Sequence, residues 1–163
     1  MSSELRVDKI VPTNGVPTGG GGGIIQVVGQ RLTASRVQMS GSSFVALGDD
    51  AIITPHFSTS KILITMTISI HSGTNDTQIQ MDVARKIGSG SYTNNLSGFG
   101  YGIISCKSSS AWNAVQLQWM DSPNTTSAVT YKLSTKAADG STVYLNDAAA
   151  STGSFISLME VSA

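Results

Sequence analysis

The fold class of this chain follows from one stretch, Lys61-Ile62-Leu63-Ile64-Thr65-Met66-Thr67-Ile68-Ser69-Ile70-His71. Apolar side chains occupy every second position from Ile62 to Ile70, and mostly hydroxyl-bearing side chains fill the positions between them. This period of two is that of a strand with one buried and one exposed face, whereas a helix repeats every 3.6 residues. Since a lone strand cannot bury its apolar face, the rest of the chain or a partner chain must cover it.

The composition limits the classes of partner. The chain has 163 residues, enough for one domain, and its ten Lys and Arg residues balance its ten Asp and Glu residues. A chain with 12% charged residues and no net charge offers no basic surface to nucleic acid, and it contains no 18-residue apolar run. We therefore predict neither nucleic-acid binding nor membrane insertion. Polarity comes instead from 25 serines and 16 threonines, which suit strands with hydroxyl-rich outer faces.

Further strand patterns follow from residue 24 onward. Besides 61–71, the predicted strands are 24–39 as one long or two broken strands around Gly29, 44–47, 51–54, 77–86, 99–107, 114–120, 129–133, 142–145 and 154–161. Gly48-Asp49-Asp50 is predicted to be a turn, and Asp139-Gly140 is predicted to close a hairpin. Because no amphipathic helix and no Cys and Trp signature of an immunoglobulin domain is present, the sequence favours an all-β, antiparallel, jelly-roll-like sandwich with an extended N-terminal arm.

The chain divides into an arm and a head. Residues 3–12 are predicted to form a short extended segment that Pro12 ends, either a solvated strand or a docking arm, and turn residues and five consecutive glycines, Gly19 to Gly23, follow it. A glycine-rich phosphate cradle would need a helix after it, and Ile24-Ile25-Gln26-Val27-Val28 follows instead. Residues 24–163 are therefore predicted to be the β-sandwich head, and residues 1–23 a flexible joint with a docking arm.

The last strand is apolar on both faces. Phe155, Met159 and Val161 lie on one face, and Ile156 and Leu158 lie on the other. A strand with one face in water would not have this pattern, so we predict an oligomer with Phe155, Met159 and Val161 at the subunit interface.

Residues for catalysis or metal binding are few. His56 and His71 have no Cys or carboxylate at ligand spacing and are predicted to be surface residues, so neither a metal nor a cofactor is expected. The single cysteine, Cys106, is predicted to be buried and inert. Carboxylate pairs for glycoside hydrolysis would have to come from residues such as Asp82, Asp121, Asp139 or Glu160. Their spacing in the sequence neither supports nor excludes such a pair.

One loop has the composition of a sugar-binding surface. Aromatic and Asn side chains there suit a site that stacks on a sugar ring and bonds its hydroxyls. The candidate contacts for a receptor or glycan are Tyr92, Asn94, Asn95, Phe99 and Tyr101. Packing of these aromatic residues against the turn is the alternative.

Both ends of the chain resemble the tail-fibre and other virion appendage proteins of tailed phages, particularly marine ones. The residues that carry the resemblance are Leu5, Val7, Ile10 and Pro12 at the start and Ile156, Leu158, Met159 and Glu160 at the end. The resemblance implies an arm that meets other virion proteins and a head, similar to that of tumour necrosis factor, that forms a homotrimer. It also implies a structural virion protein, not an enzyme, that attaches to a host surface glycan or receptor.

Two other classes remain open. A free glycan-binding module would share the sandwich and the aromatic loop but would usually carry an export signal, which the start of this sequence does not show. A small polysaccharide-degrading spike is the enzyme alternative, for which no catalytic motif is visible.

Overall fold

The computed structural model describes residues 23–32, 37–94, 96, 102–107, 112–145 and 153–162. These residues form ten strands, β1 (Ile24–Arg31), β2 (Val37–Ser40), β3 (Val45–Ile53), β4 (Lys61–Ser72), β5 (Thr77–Ile87), β6 (Gly102–Cys106), β7 (Asn113–Asp121), β8 (Val129–Ala137), β9 (Thr142–Leu145) and β10 (Phe155–Val161). The described part of the chain has no helix long and apolar enough to cross a membrane. Residues 1–22, with the proposed arm residues Leu5, Val7, Ile10 and Pro12, lie outside the described residues.

The strands pair in a nested order. β1 pairs with β10, β2 with β9, β3 with β8, β4 with β7 and β5 with β6, all antiparallel. This is the pairing of one long hairpin rolled up on itself, which is how a jelly roll is built. The predicted all-β, jelly-roll-like sandwich is therefore confirmed.

Two sheets result from this rolling. One has six strands, in the order β1-β10-β4-β9-β2 with β7 on the other side of β4, and the second has the order β3-β8-β5-β6. β4 is the central strand of the larger sheet because β10 and β9 pair with successive parts of one edge and β7 pairs with the other edge.

The inward face of β4 fills the core as the sequence predicts. Ile62, Ile64, Met66, Ile68 and Ile70 are each 0% exposed. At about 1.5–3 kcal/mol for each fully buried aliphatic side chain, this row stabilises the fold by on the order of 10 kcal/mol, which is the scale of the net stability of a whole domain. The predicted inward residues of the last strand, Ile156 and Leu158, are also buried.

Two turn predictions are wrong. Gly48-Asp49-Asp50 lies within β3 as a bulge, since the register with β8 shifts between Leu47 and Ala51 and Gly48 takes a φ of +84°. The Asp139-Gly140 turn does not close a hairpin, because β8 pairs with β3 and β5 whereas β9 pairs with β2 and β4. The chain crosses between sheets there, and Val143 and Leu145 then cover the core from the other side.

Candidate functional site

The outer face of the six-stranded sheet carries an apolar row. Residues on β4 with odd numbers point away from the core, and the register places Leu63 between Met159 on β10 and Met120 on β7. Val27 on β1 lies opposite Met159 and extends the row to a fourth strand. Cross-strand neighbours on one face have Cβ atoms about 5 Å apart, so the four side chains form a continuous apolar surface.

Neighbouring residues enlarge this row into what we call the apolar patch. Ile24, Val27, Phe155 and Met120 are 58%, 57%, 44% and 44% exposed. The Phe155 ring lies over Gly29, where an added Cβ would be only 2.6 Å from the ring. The apolar patch consists of Ile24, Val27, Leu63, Met120, Phe155, Met159 and Val161.

All three predicted interface residues, Phe155, Met159 and Val161, lie in the apolar patch, with Phe155 exposed and the other two half-buried. The sequence did not indicate Val27 because residues 24–28 are apolar on both faces, so their pattern does not show which side points outward. It did not indicate Met120 because its neighbours on the same face of β7, Gln116 and Gln118, are polar. Only the strand register shows that they adjoin Met159 and Leu63.

A row of aromatic rings lies on the same outer face of the six-stranded sheet, near the end of β4. The rings of His71 and Tyr144 are stacked with centroids 4.8 Å apart, and the rings of His71 and Trp112 have centroids 4.1 Å apart. His71 is only 7% exposed, so its prediction as a surface residue is wrong. The cause is the ring on either side of it, which covers a histidine on the outer face of the sheet.

The predicted sugar-binding loop is described only in part. Tyr92 donates a hydrogen bond of 2.7 Å to Asp50, and the ammonium groups of Lys86 and Lys132 lie 5.0 and 5.3 Å from its ring centroid. The Tyr92 ring is therefore engaged in contacts within the head. Asn94 is exposed, and the other three candidates, Asn95, Phe99 and Tyr101, lie outside the described residues.

A buried carboxylate ties the last strand to the segment before β4. Glu160 is 0% exposed and accepts hydrogen bonds from Gln26 Nε2 at 2.6 Å and from the backbone N–H of His56 at 2.7 Å. The Nδ1 atom of His56 also lies 2.9 Å from Glu160 Oε2. His56 is 44% exposed, as predicted for a surface residue, but the sequence did not indicate its carboxylate partner because 104 positions separate the two.

These contacts give the head a predicted acid sensitivity. Burial alone would raise the pKa of Glu160, but the hydrogen bonds from Ser60, His56 and Gln26 outweigh it and hold the pKa below the ordinary 4.5. Since the folded pKa is depressed, the stability from this carboxylate is present above about pH 4.5 and is lost as the pH falls through the folded pKa. We expect Glu160→Gln to lower the free energy of unfolding by about 2 kcal/mol at pH 7.

Urea unfolding of both proteins between about pH 3 and pH 7 measures this effect. The loss of stability on acidification is expected to be smaller in Glu160→Gln than in the unchanged protein. Asp76→Asn, at a carboxylate whose side chain is 72% exposed, is the control and should keep the acid dependence. Parallel curves for Glu160→Gln and the unchanged protein would contradict the assignment.

A second buried carboxylate joins the two sheets. Asp121, at the end of β7, accepts hydrogen bonds from Arg85 Nη1 at 2.9 and 3.0 Å and from the Tyr131 hydroxyl at 2.7 Å. Burial, together with the adjacent Asp121 charge, raises the pKa of Tyr131 far above its ordinary 10, so the hydroxyl remains a donor. Asp121 and Glu160, two of the carboxylates considered for glycoside hydrolysis, thus have structural partners.

Metal and thiol chemistry has little support in the described residues. In the ranges given above, no three His, Cys, Asp or Glu side chains come together to hold a metal ion. Cys106 is 0% exposed, which confirms the predicted burial, and burial raises the pKa of its thiol.

Comparison with known proteins gives likeness of fold only. The sequence matches no protein-family model and no curated protein. Among solved structures, this chain is similar to a chain in the structure of the infectious bursal disease virus Gt strain. The TM-score is 0.48 and the identity is 9%, and the match covers 97% of this chain and 42% of that chain. It is also similar to the VP2 subviral particle of infectious bursal disease virus, with a TM-score of 0.41, 10% identity and coverage of 83% and 39%.

A xylan-binding domain is also among the solved structures to which the chain is similar. The xylan-binding domain CBM22-1 of Paenibacillus barcinonensis Xyn10C gives a TM-score of 0.40 and 14% identity, with coverage of 90% of this chain and 99% of that one. This chain spans about two fifths of the length of the two viral chains.

Proposed function

We propose that this chain is a non-enzymatic structural component of a phage virion, such as a tail fibre, spike or capsid appendage, and that its head forms a homotrimer. The observation that carries the proposal is the apolar patch, in which Val27, Met159, Leu63 and Met120 form one row across four strands. Contiguous exposed apolar patches larger than roughly a few hundred Å² commonly mark interaction sites. We propose that two further copies of this chain cover the apolar patch.

The route of the chain supports this arrangement. The backbone N–H of Ser162 donates a 3.0 Å hydrogen bond to the carbonyl of Gly23, so the first and last described residues lie together. Ile24 pairs with Val161 beside them, which places both ends of the described head next to the apolar patch. Arms of neighbouring subunits would therefore leave the trimer close to one another. In this proposal residues 1–22 join the head to other virion proteins.

The number of subunits follows from the resemblance of both chain ends to virion appendages. A cyclic trimer uses one apolar surface on each subunit in three equivalent contacts, which leaves no open interface. The measured mass is expected to be three times the 16.9 kDa of one chain at micromolar concentration. A monomer, or a dimer of two patches facing each other, would contradict the proposed trimer.

Met120→Lys tests the location of the interface. The change places a charge in the row where neighbouring subunits would meet, so we expect assembly to weaken about 30-fold or more, as for loss of a central interface residue. The control is Ile52→Lys, since Ile52 is 50% exposed and lies on the four-stranded sheet. Sedimentation or mass photometry over a concentration series compares the two. Equal assembly of both variants would show that the interface lies elsewhere.

A further inference from the structure

The aromatic row ends in an indole that is open to solvent. Tyr144 on β9, His71 on β4 and Trp112, next to the start of β7, lie side by side across the strands. The Tyr144 and His71 rings are stacked, and the Trp112 ring is tilted by 35° from the His71 ring. Among the described strands, β7 pairs only with β4, so Trp112 lies at the edge of the sheet. Trp112 is 37% exposed although one side of it contacts His71.

The stack fixes the orientation of this indole. His71 is nearly buried between two rings, and Gly73 lies so close to Tyr144 that an added Cβ would be 2.9 Å from the ring. A ring supported in this way loses little further freedom when a ligand packs on it, which favours binding. Trp112 therefore presents a preformed flat surface.

The described strand segments around Trp112 carry no formal charge. No Lys, Arg, Asp or Glu occurs in 37–40, 65–72, 112–118 or 142–145, the strand segments that form this part of the face. The outward side chains there carry hydroxyls and amides. Phosphorylated or sulfated ligands would need cationic partners, which these segments lack. A neutral ligand with a flat apolar side and many hydroxyls fits this chemistry, and a pyranose has both.

Along β7 the face continues from Trp112 over the small residue Ala114 to the exposed amide of Gln116. Trp112 and Gln116 are four residues apart, or about 13 Å at about 3.3 Å for each residue of a strand. This length accommodates two or three sugar units, with the Ala114 side chain leaving room for those between the ends.

We propose that Trp112 stacks on a pyranose ring of a neutral glycan and that Gln116 bonds hydroxyls of the same glycan along β7. This deepens the host-attachment part of the proposed function, and it places the glycan on a surface other than the loop that contains Tyr92. The row through Leu63 lies eight positions before His71 on β4, and Phe155, which pairs with Thr67, is the member of the apolar patch nearest to Gln116. In this proposal the trimer interface ends at Phe155 and leaves the Trp112 surface open.

The two tryptophans of the chain allow a direct test. In a Trp119→Phe background, Trp112 is the only indole that emits. The probes are an array of neutral oligosaccharides built on glucose, galactose, mannose and xylose, with sulfated oligosaccharides alongside, followed by titration with the neutral probe that binds best. Binding is expected to shift the Trp112 emission to shorter wavelength and to reduce acrylamide quenching about threefold or more.

Variants then assign the contact. Trp112→Ala is expected to lower the affinity about tenfold or more, and Gln116→Ala to lower it less. Phe57→Ala is the control, because Phe57 is a 40% exposed aromatic residue on another part of the head. Thermal unfolding of each variant shows whether the head remains folded.

Three results would overturn the proposal. They are no binding to any neutral probe, equal binding by Trp112→Ala and Phe57→Ala, and protection of Trp112 from acrylamide in the assembled protein without glycan. The last result would mean that a neighbouring subunit covers this surface. The mass of the assembly, measured on the same samples, tests the trimer separately, so failure of glycan binding and failure of the trimer are distinguishable.

Discussion

Replacing Asp121 by alanine is expected to lower the free energy of unfolding by about 3 kcal/mol. The substitution leaves the Arg85 guanidinium and the Tyr131 hydroxyl without their shared acceptor between the two sheets. Tyr131 is 0% exposed and Arg85 is 23% exposed, so water compensates little for the loss. In a domain of this size the midpoint of thermal unfolding should fall by roughly 6–12 °C.

Asp76→Asn is the matched control for this prediction, because Asp76 has a φ of +56°, which asparagine tolerates and alanine does not. Asp76 also forms an ion pair, with Lys107 at 3.2 Å, but the two side chains are 72% and 82% exposed. Exposed pairs contribute little, so this variant should unfold near the temperature of the unchanged protein. Adding Arg85→Met to Asp121→Ala should recover part of the lost stability because it removes the unpaired charge. Equal destabilisation by Asp121→Ala and Asp76→Asn would show that the Asp121 cluster does not join the sheets.

The strands of this head can be predicted from the sequence wherever one face is uniformly apolar. Between Ile62 and Ile70 each inward position is apolar, and a slip of one residue would expose the whole row. The bulge at Gly48 was not readable, since glycine followed by two aspartates is also the composition of a turn. Whether Asp139-Gly140 closes a hairpin or crosses between sheets depends on the partner of β9, which local sequence does not specify.

The candidate surfaces were less accessible to prediction than the strands. Phe155, Met159 and Val161 could be recognised because the last strand has apolar residues on both faces. Leu63 and Met120 are single apolar residues on polar faces, and only the register of three strands brings them beside Met159. The aromatic row has the same origin, since His71 acquires its neighbours from β9 and from the start of β7.

The two faces of β4 provide the sharpest test of this fold and its assembly. Met66 is 0% exposed and lies between Ile156 and Leu117 in the core, whereas Leu63, three residues earlier, lies half-buried on the outer face. We expect Met66→Asp to unfold the head. It removes a buried side chain, at a cost of about 2–5 kcal/mol, and places a carboxylate where no partner is available, which together approach the net stability of a domain.

Leu63→Asp should instead leave each head folded and prevent assembly. The carboxylate at Leu63 can reach water in a single head, but a neighbouring subunit seated on Met159 and Met120 would bury it. Far-ultraviolet circular dichroism and thermal unfolding report the fold, and sedimentation reports the mass. A folded Met66→Asp protein would mean that the two faces of β4 are reversed. A folded Leu63→Asp trimer would remove the outer face of β4 from the interface, because a buried, unpaired carboxylate in each of three subunits is not compatible with stable association.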